Sequence, residues 1–357
     1  PLRRRSTMHF HDAALFPEVQ EKLVITAAPY GPEWELDDFR EDLPLTMDEH
    51  VQAAVDCYEA GATVLHIHVR ELDGKGSKRL SKFNELLGRL REAVPDMILQ
   101  VGGSISFAPE GEGADAKWLS DDARHMLAEL DPRPDQVTIA INTSQMNIME
   151  LMTEDDIAGT SMTRPELAEA YREMTVPAGP EWVAEHLRRL TANGIQPHFQ
   201  LSSIPQLETV ERLIRRGYYN GPLNLTWVAI GGGFDGPNPY NMMNFINRVP
   251  DGAVLTLETL MRSVLPVNTM ALAMGLHTRC GNEDTIWRRK GEKFTSVEQV
   301  KQIVRIAKEL GREIADGKEA RDIYRIGQTY ADADETLARL GYAPNRKPGQ
   351  LGFTFHA

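Results

Sequence analysis

His66 and His68 are the residues of this chain whose type and spacing most directly suggest chemistry. They lie in the segment from Ala62 to Arg70, which is apolar and rich in β-branched residues and so predicts a buried strand. Side chains two apart on a strand share a face. Two imidazoles on one face can grip a single divalent metal. The competing reading is a pair of hydrogen-bonded core histidines. A second cluster runs from His277 to Asp284 and holds Arg279, a turn glycine, Glu283 and Asp284. His66, His68 and Glu283 together offer two nitrogens and one carboxylate. That set leaves a coordination position open, the pattern of a catalytic zinc rather than a structural one. Taken alone, Glu283 and Asp284 read equally as an acidic pair at a helix start.

These side chains meet only if the chain brings the two segments together. Strand-like and helix-like stretches alternate almost without interruption. Strands are predicted at 22–28, 62–70, 97–101, 136–141, 197–201, 223–230, 253–257 and 276–280. Helices are predicted at 47–60, 81–93, 121–130, 181–192, 207–217, 266–274 and 296–310. The first of these helices carries a capping box, Thr46 with Glu49, and stops at Gly61. Eight βα units predict a closed parallel barrel, a TIM (β/α)8 fold with a C-terminal extension. An open doubly wound sheet is the alternative, but no Gly-x-Gly-x-x-Gly follows the first strand. In a closed barrel the second and eighth strands both flank the first, so Glu283 can reach His66 and His68. The stretches 102–117 and 146–179 are long for βα loops and belong at the C-terminal face, where pocket walls are built. Residues 1–20 read as an N-terminal arm, 21–312 as the barrel, and 313–357 as an extension packing on the barrel or on a neighbouring subunit.

Further groups fall at strand ends. Glu33 follows the first strand, Ser104 the third, and Thr138 lies on the fourth. Gly231, Gly232 and Gly233 follow the sixth and offer close backbone approach to an anionic ligand, or simply a flexible turn. His198 on the fifth strand is either a third imidazole ligand or a core histidine. The formal charge of −13, with basic residues scattered on helices, argues against nucleic acid as a partner. No apolar run approaches the ~20 residues that span a membrane. Two cysteines are too few for a disulfide framework, and a reducing, cytoplasmic setting is expected.

The chain resembles the β-keto acid cleavage enzymes. The resemblance covers residues 22 to about 325 and rests on ordered matches. These include Ile25 to Ala28, Leu43 to Glu49, Glu59 to Ala62 leading into His66–Arg70, and Gly275 to Asp284. Asp73-Gly74, Lys290-Gly291 and Ile306 to Arg312 extend it. The resemblance implies a TIM barrel whose zinc is held by His66, His68 and Glu283. It implies condensation of a β-keto acid with acetyl-CoA to give acetoacetate and a new acyl-CoA. Arg279 and Asp284 would be the mechanistic pair, Glu33 a pocket carboxylate and Thr138 a substrate contact. A homo-oligomer, dimer or tetramer, is expected.

The chain also departs from that pattern. Gly102-Gly-Ser-Ile-Ser106 and the insertion after it replace the usual loop, leaving Ser104 as the substitute serine contact. Gln200 stands where members taking amine-bearing substrates carry acidic residues, so an amine-bearing keto acid is not expected. Glu258 to Arg262 replace a glycine-rich turn after the seventh strand, so the pocket wall should differ. The alternative enzyme is a metal-dependent, amidohydrolase-like hydrolase. It would need HxH on the first strand and histidines on the fifth and sixth, where only His198 is present. An aldolase independent of thioester would be separated by its indifference to coenzyme A. A small-molecule sensor would have little use for an open metal site beside Arg279 and Asp284.

Overall fold

Eight short buried strands form the frame of the molecule: β1 (Ile25–Ala27), β2 (Val64–Ile67), β3 (Ile98–Val101), β4 (Gln136–Ala140), β5 (Gln196–Leu201), β6 (Asn224–Val228), β7 (Val254–Glu258) and β8 (His277–Cys280). In the computed structural model they pair in parallel and close into a barrel in the order β1-β8-β7-β6-β5-β4-β3-β2. Residues 15–16, 20–103, 107–109, 116–118, 121–150 and 152–350 are described. The expected arm at 1–20 lies almost wholly outside the described residues. As expected, β1 sits between β2 and β8: Thr26 is opposite Val64 on one side and Arg279 on the other.

A helix follows every strand: α1 (Met47–Ala60), α2 (Leu80–Ala93), α3 (Asp121–Met126), α4 (Pro180–Ala192), α5 (Ile204–Arg215), α6 (Pro239–Ile246), α7 (Leu265–Ala273) and α8 (Ser296–Glu309). The capping box on α1 is formed by Thr46 and Glu49, and Gly61 ends the helix in the left-handed region. Between barrel and helices lies the apolar core. On α2, Phe83, Leu86, Leu87 and Leu90 are buried in one cluster with Leu65, Ile67 and Val69 of the β2 segment. Each such side chain removed from water contributes about 1.5–3 kcal/mol. The alternation therefore sends Leu65, Ile67 and Val69 outward to α2 and leaves Val64, His66 and His68 to the barrel interior.

The interior is unusually polar. Gln100, Gln136, Thr138, Gln196, His198, Asn224, Thr226 and Thr256 are all buried. Polar groups so buried need partners; seven of these partner one another across the strands, and Thr256 meets the Tyr324 hydroxyl at 3.1 Å. Two further helices, α9 (Gly317–Tyr324) and α10 (Ala333–Leu340), follow the barrel. The backbone at Leu23 bonds to Glu313 and Ala315, and the Tyr324 carbonyl accepts from the amides of Gln196 and Asn224. The segment leading into α9 therefore lies against the first strand, and the end of α9 caps the N-terminal mouth of the barrel. Asp135 fastens this cap, taking Arg321 of α9 at 2.7 Å and Arg91 of α2 at 2.8 Å. Among the described residues no helix is long and apolar enough to cross a membrane.

The two long loops both lie on the opposite, C-terminal face. Phe107–Pro109 and Ala116–Trp118 pair within the first. The second folds back on itself, pairing Ser144–Met146 with Met174–Val176. It is tied to the loop after β1: the Asp38 carboxylate accepts from the Ser161 backbone at 2.6 Å and its hydroxyl at 2.5 Å, and the Tyr171 hydroxyl donates to the Pro32 carbonyl at 2.9 Å.

Candidate metal centre and active site

His66 is the third residue of β2, and His68 lies just past the strand end. Glu283 sits in the tight turn after β8, where its backbone N–H donates to the Ala28 carbonyl at 3.0 Å. That turn needs Gly281: its φ is +139° and a Cβ there would lie 2.2 Å from the Ala28 oxygen. The result brings Oε1 of Glu283 to 3.6 Å from Nε2 of His66 and 3.7 Å from Nε2 of His68. All three residues are buried, and their ligand atoms lie within 4.8 Å of one another. Tetrahedral zinc with bonds of ~2.0–2.1 Å would set such atoms about 3.3 Å apart. Two observations fit a cation there. Oε2 of Glu283 is buried with no hydrogen-bond partner. The space in front of the imidazoles is kept open by Gly102, on which a Cβ would stand 2.4 Å from Nε2 of His68 and 2.5 Å from Nε2 of His66.

The imidazoles are held from behind. Nδ1 of His66 lies 2.7 Å from Oε1 of Gln100, its direct neighbour in register on β3. Tyr30 meets His68 edge-on, with ring centroids 6.2 Å apart, and the Arg70 guanidinium stacks 3.4 Å over the Tyr30 ring. Burial keeps His66 well below the usual histidine range, so it is neutral and able to ligate.

Beside the ligands stands Arg279 of β8. Its Nε and Nη2 donate to the two oxygens of Asp284 at 3.0 and 2.7 Å, a bidentate pair. Nη2 also lies 2.7 Å from Glu283 and 3.4 Å from Glu258. Burial works against the guanidinium charge, but Asp284, Glu258 and Glu283 outweigh it and raise Arg279 well above its ordinary value. That direction favours a charged group that orients or stabilises over one that takes up a proton. Burial pushes Asp284 up to about 6 against the pull of Arg279. Glu283 is also desolvated, yet Arg279 and the two histidines hold it below the usual carboxylate range.

The cluster floors a cavity of about 790 Å³, its open mouth included. Glu33, Thr138 and Gln200, all anticipated from the sequence, line it. Glu33 reaches toward the ligands: a Cβ on Gly31 would touch both its Oε2 and Cγ of Glu283. Burial and the neighbouring Glu283 push Glu33 well above the ordinary carboxyl value, and its Oε2 has no partner. Ser104 lies outside the described residues. Gly232 is placed otherwise than expected. Its close approach is to protein, not ligand: its carbonyl accepts from Asn147 N–H at 2.8 Å, and a Cβ would lie 1.9 Å from the Asn147 oxygen. The cavity wall there is made by Ile230 and Phe234. His198 is a core histidine, its Nδ1 3.1 Å from the Thr138 hydroxyl and its Nε2 2.7 Å from that of Thr226. The imidazole that a hydrolase of the amidohydrolase type would require is thus spent on threonines.

One site residue was read from sequence only as altered wall. Glu258 ends β7, is buried against Arg279, and lines the cavity with Oε2 unpartnered. Burial pushes it up to about 8. The available signal was an acid closing an apolar parallel strand at the C-terminal face, where barrel enzymes carry their reactive groups.

Comparison with known proteins finds relatives over most of the chain. The chain is 27% identical over 312 residues to a 3-keto-5-aminohexanoate cleavage enzyme of Acetoanaerobium sticklandii, covering 86% of this chain and 100% of that protein. It is 23% identical over 292 residues to a 3-dehydrocarnitine:acetyl-CoA trimethylamine transferase of Rhizobium meliloti, covering 78% of this chain and 88% of that one. The solved structure of ObcA with oxaloacetate shares the fold, with a TM-score of 0.57 at 15% identity over 80% of this chain and 68% of that chain. The model of the beta-keto acid cleavage enzyme family matches residues 22–326, and the chain belongs to that family.

Proposed function

We propose that the chain is a zinc-dependent acyltransferase that condenses a β-keto acid with acetyl-CoA, yielding acetoacetate and a new acyl-CoA. The observation that carries this reading is the convergence of His66, His68 and Glu283 on one open position beside a permanently charged Arg279, in a member of this family. The names of its relatives support acetyl-CoA as the second substrate. His66, His68 and Glu283 would hold the metal, which when bound supplies Lewis-acid polarisation of a carbonyl.

The chain's own residues supply the rest. Glu33, desolvated and with one free oxygen beside the ligands, accepts the proton from the carbon between the keto and carboxylate groups. That carbon bonds to the acetyl carbonyl carbon, and the coenzyme A thiolate leaves. The thiolate then adds to the original keto carbonyl, the bond from that carbon to the nucleophilic carbon breaks, and the proton returns from Glu33. The products are acetoacetate and the acyl-CoA, with no net oxidation. Arg279, oriented by Asp284, counters the negative charge that develops on the substrate oxygens. Glu258 stays protonated at neutral pH and offers a hydrogen bond from the wall.

The cavity also bears on the keto acid's side chain. Among the described lining residues, charge is confined to the metal end. The outer wall is Met146, Ile148, Met174, Val176, Ile230 and Phe234, with Gln200 and Ser202 as neutral polar groups. This supports a side chain that is uncharged and largely apolar, since an unpaired charge there would be desolvated without compensation. A homo-oligomer in the cytoplasm, dimer or tetramer, completes the reading. Both cysteines are free and buried, as a reducing compartment allows.

The test measures metal content together with acetoacetate formation from acetyl-CoA and a panel of neutral, acidic and cationic β-keto acids. About one zinc per chain and turnover of neutral members, both lost in His66→Ala and Glu283→Ala, are expected. A protein that purifies without metal and makes no acetoacetate when loaded with zinc would overturn the reading.

A further inference from the structure

A ladder of amides runs through the barrel from the metal site to the cap at its other end. Oε1 of Gln100 faces Nδ1 of His66 at 2.7 Å. Nε2 of Gln100 donates to Oε1 of Gln136 at 2.8 Å, and Nε2 of Gln136 donates to Oε1 of Gln196 at 2.7 Å. Asn224 donates to the same Gln196 oxygen at 2.7 Å. Nδ2 of Asn224 and Nε2 of Gln196 then both donate to the main-chain carbonyl of Tyr324, at 2.8 and 3.1 Å. All of these side chains are buried. The ladder follows register, since His66, Gln100, Gln136 and Gln196 are successive direct neighbours on β2, β3, β4 and β5. Strand stagger in a closed barrel carries that row from near the end of β2 to the first residues of β4 and β5.

A carboxamide can sit either way round, and its orientation follows from its partners. Here one partner admits no choice. A main-chain carbonyl only accepts, so the amides of Gln196 and Asn224 must point their N–H groups at Tyr324. The Gln196 oxygen must then face Gln136, the Gln136 oxygen must face Gln100, and the Gln100 oxygen must face His66. An oxygen at Nδ1 requires a proton on Nδ1, which leaves the Nε2 lone pair directed at the metal position. We propose that Gln136 and Gln196 are positioning residues that fix the ligating tautomer of His66, with the Tyr324 carbonyl at the far mouth of the barrel as the fixed end of the ladder. This rests on the metal-site reading, but its first readout does not need the metal. Partners behind a ligating histidine generally influence affinity ~10–100-fold.

The experiment uses the full-length protein stripped of metal and labelled with ¹⁵N-histidine. Long-range ¹⁵N–¹H spectra report which ring nitrogen of His66 is protonated, with His66→Gln supplying the assignment. Zinc affinity is then measured by competition with a chelator. Wild type is expected to show His66 protonated on Nδ1. Gln136→Met, nearly the same shape but without an acceptor, frees Gln100 to turn. It should give a mixture of tautomers and zinc binding weakened ~10-fold or more, with the fold retained by circular dichroism. Adding Gln100→Glu to that variant supplies an acceptor with no donor face, and should restore both the Nδ1–H form and most of the affinity. A role in packing alone predicts no such rescue. The proposal is overturned by a wild-type His66 protonated on Nε2, by an unchanged tautomer in Gln136→Met, or by a loss that Gln100→Glu does not reverse. A wild-type protein with the expected tautomer but no affinity for zinc would sink the metal reading and leave the ladder standing.

Discussion

Gly102 stands so close to His68 that a Cβ on it would lie 2.4 Å from Nε2 of that ring and only 2.5 Å from Nε2 of His66. The smallest residue here is a requirement for space in front of two imidazoles, not for a special backbone angle. Gly102→Ala should therefore weaken zinc binding on the order of 100-fold and also lower the melting temperature of the metal-free protein, because two buried imidazoles must move. Titration with zinc against a competing chelator checks this, and an alanine variant that binds as wild type would show that the imidazoles can retreat.

Asp284 holds Arg279 by two hydrogen bonds and is not among the three residues whose ligand atoms converge. Asp284→Asn keeps the shape and removes the charge and one acceptor. Because the interaction acts on charge developing during the reaction, kcat should fall roughly 10²–10³-fold with metal content unchanged. Steady-state kinetics with metal analysis on the same sample separates this from loss of the site.

Glu258 should matter through its proton. Burial pushes it up to about 8, so below that pH it is neutral and above it a carboxylate appears beside Glu283 and Asp284. Glu258→Gln imitates the neutral form. Its activity at pH 7 should stay within about threefold of wild type, and the decline of kcat/KM above pH 8 should be shallower. An identical alkaline limb in both proteins would assign that limb to another group.

Asp135 tests the fastening of the barrel cap. Desolvation opposes its charge, but Arg321, Arg91 and the Leu99 N–H lower its pKa in the folded state. A lowered carboxyl contributes stability that is complete above the unfolded value of about 3.9 and disappears as the pH falls through the folded value. Asp135→Asn should cost roughly 2 kcal/mol near neutral pH, a figure tempered by arginines that are partly exposed. The gap between the two proteins should begin to narrow below about pH 4 and go on narrowing as the pH falls further. Thermal midpoints measured at pH 7 and at pH 3.5 decide it.

The barrel was legible because eight short strand-like runs alternate with helix-like ones, most of them apolar as buried parallel strands are, although β5 and β8 carry several polar residues. His66, His68 and Glu283 were legible for a related reason: polar residues at the ends of such runs break the pattern. What stayed hidden depends on distance in the sequence. The ladder from Gln100 to Tyr324 has one member per strand, and no local spacing marks it. Helix α6 escaped because Pro239–Ile246 is only eight residues, with asparagines interrupting its apolar face. Helices α9 and α10 were folded into an undivided extension for the same reason of length. Helix α5 begins at Ile204 rather than Leu207, Pro205 in its first turn being a start signal. The glycine run after β6 misled because close approach looks the same in sequence whether the neighbour is a ligand or, as here, the backbone of Asn147.

The meeting of the first and last barrel strands has a consequence for how this protein is made. Val24 donates to His277 across 253 residues, and Leu23 bonds to Glu313 and Ala315, further on still. A ribosome releases the N-terminal strand long before its partner exists. During that interval β1 presents an open edge, and the imidazoles of β2 wait without Glu283. Ring closure, the approach of Glu283 to the two imidazoles and capping of the lower mouth all depend on residues after His277, so this barrel can close only once the segment through Tyr324 has been made.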